Sequence, residues 1–214
     1  MTGATGNDGA TDDVGARRAP APDPAWPTHM IMIIRHGEKP DFTGTQGVSG
    51  EGFGDRNSLT VHGWVRAGAL MELFAPAHAQ PPVGLRRPDS IYGTAAEGHS
   101  KRSIETVAPL AARLGLQVHT RFADGDEKKL AKELTRRPGT SLIAWHHGSI
   151  PRIADHLGKV SPAPPRYWPV ERYDVVWTFI RRDDYWEFDQ FPQRLLPGDL
   201  PHPIIDWPDS SWEG

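Results

Sequence analysis

Cysteine is missing from all 214 residues. Its absence removes disulfides, zinc-thiolate sites and thiol nucleophiles together, and it suits a reducing compartment. Long hydrophobic runs are missing too, since charge or proline interrupts every apolar stretch well short of the ~18 residues a membrane span needs. The opening MTGATGNDGATDDVGARRAPAPDPAWP has no apolar signal-peptide core and reads as a disordered, uncleaved tail over residues 1–27. A soluble, cytoplasmic protein with no membrane partner is the expectation. Charge of one sign is also lacking: 24 Lys and Arg stand against 27 Asp and Glu, a net charge of -3. The basic residues are scattered rather than massed, so no footprint for nucleic acid is visible. Without internal repeats or a mid-chain linker, the rest reads as one folded body over residues 28–192. An irregular extension over residues 193–214 is expected to pack on that body, its prolines barring regular structure. The sequence carries no signal for an oligomeric state.

What is present alternates between two periods. Residues 30–34 form a continuous apolar run with β-branched members, the pattern of a strand buried on both faces. Residues 40–57, rich in Gly, Asp, Thr and Ser, predict a long loop, and long loops in compact domains are often functional. Thr60 is placed to cap a helix in which Val61, Trp64, Val65, Ala69, Leu70, Leu73 and Phe74 recur at helical spacing until Pro76. A second strand is expected over 90–94, then a helix presenting Ile104, Val107, Leu110, Ala111 and Leu114 and stopped by Gly115. A third strand is expected over 116–122, a helix over 127–137, a fourth strand over 140–145, and a hairpin from 173–180 and 185–191. Strands alternating with helices imply a three-layer α/β/α sandwich, with a mostly parallel sheet and an antiparallel C-terminal edge.

Ligands of open α/β sheets bind outside the carboxyl ends of the strands. Two of the expected strands place histidine and glycine at that edge, as Arg35-His36-Gly37 and His146-His147-Gly148. The loop after the second strand leads to Arg102 at the start of a helix, with Ser100 as a candidate cap. Guanidinium forks match phosphate oxygens and keep their charge, and a helix N-terminus adds free N–H donors. A phosphoryl group is the ligand such a set would take.

Strand-terminal RHG, followed in order by LTVHGWVRAGAL, SKRSIETVAPLAARLGL and LIAWHHGSIP, resembles the histidine phosphatase superfamily in its phosphoglycerate mutase-like branch. The resemblance spans roughly residues 30–180. It implies a phosphoglycerate mutase-like fold and a metal-independent phosphomonoesterase that needs no cofactor and works through phosphohistidine. His36, kept neutral, would be the nucleophile. Arg35, Arg102 and His147 would stabilise charge on the phosphoryl oxygens. His147 takes the family role because the superfamily histidine commonly stands directly before the glycine; His146 would point the other way if strand alternation continued to that point. His146 and Glu38 are further substrate-binding candidates.

The proton donor is left open. An aspartate directly after the second histidine, as in the acid phosphatase branch, is replaced by Gly148, and the mutase branch's longer glutamate signature is absent. Asp124, Asp126 and Glu127 in ADGDE are the topological match, with Glu38 and Glu97 as competitors. His99 is a weaker pocket candidate and His62 reads as structural. Expected partners are a small phosphorylated substrate or a phosphoprotein. Other readings are a mutase-like phosphotransferase, a protein phosphohistidine phosphatase, a non-catalytic phospholigand module, or a metallohydrolase using the paired histidines.

Overall fold

The apolar run HMIMIIR can satisfy its backbone only within a sheet, and it forms β1 (His29–Arg35) near the middle of one. The structure, a computed structural model, describes residues 29–41, 44–95 and 100–206. The expected tail and residues 207–214 of the extension therefore lie outside the described residues. Along the chain follow α1 (Val61–Phe74), β2 (Ser90–Gly93), α2 (Arg102–Leu114), β3 (Val118–His119), α3 (Glu127–Leu134), β4 (Gly139–Trp145) and α4 (Ile150–Asp155). The chain then forms β5 (Val160–Ser161), β6 (Val175–Arg181) and β7 (Trp186–Pro192). Seven strands make one sheet in the order β3-β2-β4-β1-β6-β7-β5. β1 to β4 are parallel, β6 turns antiparallel on β1, and β7 on β6.

Alternation along β1 divides the core. Met30, Met32 and Ile34 pack toward α1 and α2 with Leu70, Phe74, Val107 and Leu110, whereas Ile31 and Ile33 pack toward α3 and α4 with Leu130, Leu134, Ile150 and Ile153. That makes three layers, the α/β/α sandwich expected. At ~25 cal/mol per Å² of apolar area, each of these buried side chains favours folding by about 1.5–3 kcal/mol.

Several local expectations are corrected. Val61 and Val65 are 66% and 51% exposed, and α1 instead buries Gly63 and Arg66 beside Ala67, Leu70, Leu73 and Phe74. The third strand shrinks to Val118–His119 at the sheet edge, and α3 ends at Leu134 rather than 137. Two short elements, α4 and β5, were not visible in the sequence. Among the described residues no helix is long and apolar enough to cross a membrane.

Candidate active site

β1 and β4 are parallel neighbours in register, with Arg35 opposite Trp145. The next residue on each, His36 and His146, therefore stand side by side at the carboxyl edge, and the His36 N–H still donates to the Trp145 carbonyl (3.1 Å). Their rings are 6.3 Å apart and nearly parallel, 23° between planes. The His147 ring meets that of His146 edge-on at 4.4 Å, and its Nδ1 is buried with no hydrogen-bond partner. The expectation that His146 points away required the strand to continue, but β4 stops at Trp145 and the chain turns, Ser149 N–H donating to the His146 carbonyl (3.0 Å). His146 is thus the histidine beside His36.

His36 is 3% exposed, and its Nδ1 lies 2.7 Å from the Gly37 carbonyl oxygen. A carbonyl only accepts, so Nδ1 carries the proton and Nε2 the lone pair. Burial, then the Arg35 charge, hold its pKa well below the usual 6.5 against the opposing Gly37 hydrogen bond. Burial also lowers His146, against the attraction of Asp124, and pushes His147 down to about 4. All three imidazoles are neutral at neutral pH.

Arg35 is fully buried. Its guanidinium lies over the Tyr173 ring, 3.6 Å from the centroid, and donates to the Tyr173 hydroxyl (2.9 Å) and to the carbonyls of Val170 and Arg172. Burial lowers its pKa to about 10, which leaves it charged. Arg102, the first residue of α2, donates to the Arg56 carbonyl (3.1 Å) and has a buried Nε without a partner, as does Arg35. Lys39 adds a third cation, its pKa lowered by burial and then by Arg35 and Arg102.

Thr106 fastens α2 to the loop after β1. Its hydroxyl accepts from Gly37 N–H (2.7 Å) and donates to the Arg102 carbonyl (2.6 Å). Ser100 accepts from Arg102 N–H (3.3 Å), and Glu105 accepts from Ser58 Oγ (2.7 Å) and Leu59 N–H (2.9 Å). The loop over 40–57 is less irregular than its composition suggests, with bridges from Gly47 to Thr60 and from Val48 to Gly54. Tyr173, Thr106 and Arg66 are the site's members that sequence reasoning missed.

The acid candidates separate by their partners. Glu38 Oε1 accepts from Arg66 Nε (2.9 Å) and Nη2 (2.8 Å), and the same guanidinium binds Asp199 (2.7 Å) and Gln193 (2.9 Å). Asp126 is paired with Lys129 (2.6 Å), which lowers its pKa. Glu127 is buried, accepting from Gly125 N–H (2.9 Å) and Trp145 Nε1 (3.1 Å). Asp124 accepts, among the described residues, from Ser149 Oγ (2.6 Å) and is the carboxylate whose charge reaches His146. His62 sits 3.3 Å from Glu38, and Glu97 and His99 lie outside the described residues. Among the described residues no three His, Asp or Glu side chains group as metal ligands.

No protein-family model matches the chain, and no curated protein does. Among solved structures it is similar to a phosphoserine phosphatase from Entamoeba histolytica, crystallised with 3-phosphoglyceric acid, at 16% identity and a TM-score of 0.47. That alignment covers 78% of this chain and all of the other. A second similar structure is the product of an open reading frame of Mycobacterium tuberculosis, at 11% identity and a TM-score of 0.40, covering 75% and 95% of the two chains.

Proposed function

We propose that this chain is a metal-independent phosphomonoesterase that forms a phosphohistidine on His36. The observation that carries the reading is the His36 tautomer: Nδ1 is committed to the Gly37 carbonyl, leaving the Nε2 lone pair beside two arginines and His146.

In the first step Nε2 attacks phosphorus, and the bond from phosphorus to the leaving oxygen breaks in line. Arg35 and Arg102 neutralise the equatorial oxygens. Arginine only donates, so the Tyr173 hydroxyl that accepts from Arg35 keeps its own proton for a phosphoryl oxygen. His146, whose ring lies beside that of His36, takes a neighbouring contact together with the adjoining His147. Asp124 supplies the proton to the leaving oxygen, as the carboxylate whose charge reaches His146, whereas Asp126 is paired with Lys129 and Glu38 is held by Arg66 through Oε1. Water then attacks the phosphohistidine, the N–P bond breaks, the proton returns to Asp124, and inorganic phosphate leaves.

Hydrolysis of an aryl phosphate by the purified protein is expected to survive chelator, to be inhibited by vanadate and to vanish in His36→Ala. Full activity in that variant would overturn the proposal. Binding of phosphorylated ligands without turnover would assign the site to a non-catalytic phospholigand module, and transfer to a second substrate in place of water would assign it to a mutase-like phosphotransferase.

A further inference from the structure

The segment EKKLAKELTRR reads as a solvated helix face, and none of its cations enters the candidate active site. In the structure its side chains border two adjoining hollows that share Lys132 and Arg136. One, of about 730 Å³, adds Arg121 and Arg137; the other, of about 520 Å³, adds Lys128 and Arg181 and has no carboxylate in its lining. Arg121 and Lys129 are ion-paired with Glu133 and Asp126. Lys128, Lys132, Arg136, Arg137 and Arg181 have no carboxylate at ion-pair distance among the described residues. Cations that the sequence scatters are gathered here by α3 and the end of β6.

Helix stability does not account for this charge. Cations at the C-terminal end of a helix are favoured by about 0.3–1 kcal/mol each, which covers Lys132, Arg136 and Arg137. By the same rule Lys128, in the first turn of α3, is on the disfavoured end, and Arg181 belongs to β6. Four cations without an ion-pair partner among the described residues share this face with Arg181, which has only the longer-range attraction of Asp184 and the face of Trp186, and together they favour a bound anion.

We propose that this face docks an acidic peptide segment of a partner protein. The two hollows lie side by side around shared cations, so the ligand is an extended one with spaced negative charges rather than a single small anion. Guanidinium forks of Arg136, Arg137 and Arg181 match carboxylates two donors at a time. A nucleic acid fits less well. Trp186 is 1% exposed and Phe122 is partly buried under Arg121, so neither offers a base-stacking platform.

The test uses the full chain and a fluorescein-labelled oligo-glutamate peptide, followed by anisotropy at low and high salt. Saturable binding that salt weakens is expected. Lys132→Glu/Arg136→Glu should weaken it at least about tenfold, the effect of reversing charges at the centre of a complementary interface. Arg87→Glu, which reverses one exposed charge outside both hollows, should leave it unchanged. Circular dichroism and aryl phosphate hydrolysis report whether the variants fold, and Lys132→Gln/Arg136→Gln repeats the test with a milder change. No binding, equal binding by the double variants, or tighter binding of a single-stranded oligonucleotide of equal charge would overturn the proposal.

Discussion

At His36 the decisive feature is which nitrogen holds the proton, and the carbonyl one residue along the chain decides it. The neighbouring arginine disfavours a charged imidazole, and in the proposed reaction it would also attract the phosphoryl group that the neutral ring attacks. Tyr173 orients that arginine. Tyr173→Phe removes a hydrogen bond to a charged group, worth about 1.5–3 kcal/mol, so kcat/KM should fall roughly 10- to 100-fold in steady-state assays while the fold persists. Asp124→Asn should lower kcat by about 100-fold or more for alkyl phosphates, whose leaving oxygen needs a proton, and much less for aryl phosphates. Asp126→Asn should leave both rates near wild type, because that carboxylate is occupied by Lys129. Arg35, His36 and Arg102 were legible in the sequence because each stands at the start or end of a regular element. Tyr173 was not, because it meets Arg35 across 138 residues of chain. The sequence reading put His147 in the family role and pointed His146 away, whereas β4 ends at Trp145 and the His146 ring lies beside that of His36.

Elements position these groups by close approach. The loop after β1 and the first turn of α1 touch backbone to backbone: a Cβ on Gly63 would lie 2.6 Å from the Glu38 carbonyl oxygen and 2.9 Å from its nitrogen. Gly63→Ala should therefore push the loop bearing Gly37 and Glu38 outward, at about 1–3 kcal/mol, the usual cost of overpacking. Thermal melting and the aryl phosphate assay should both register it, activity more strongly, since a displacement near 1 Å costs about 100-fold in a positioned site. Thr60 accepts from Gly63 N–H (3.1 Å), so the same turn caps the helix and seats the loop. Strands buried on both faces were legible as continuous apolar runs. The end of α1 and the stop of α2 at Gly115, which adopts a left-handed φ of 65°, were legible from local chemistry. The exposure of Val61 and Val65 was not, because a periodic pattern does not show how far an apolar stripe is covered. α4 and β5 span six and two residues, too short to display a period.

At the scale of the whole molecule, residues 193–206 pack on the body without regular structure. Arg66, buried in α1, joins Glu38 in the loop after β1 to Gln193 and Asp199, while Arg172 donates to the His202 carbonyl (2.8 Å) and Ile204 enters the core. The charge state of the chain sets its acid stability. His29, His36, His119, His146 and His147 are all held below 6.5, with burial the first cause in each. Once pH falls below about 6.5 the unfolded chain binds protons that the folded one refuses, so stability declines from there toward the folded values, about 4 for His147. Asp55, Asp126, Asp184 and Asp199, held low in the folded state, add further loss as pH drops below their ordinary 3.8. Melting temperatures measured from pH 7 down to 5 should therefore fall steadily; a flat profile would contradict the burial of these histidines.

The central claim is that the His36 Nε2 becomes covalently phosphorylated. Brief mixing with a substrate radiolabelled in its phosphoryl group, an alkaline quench and peptide mapping should place an acid-labile, base-stable label on the peptide containing His36, absent from His36→Ala. Turnover without that label, or a label that survives the substitution, would contradict the account.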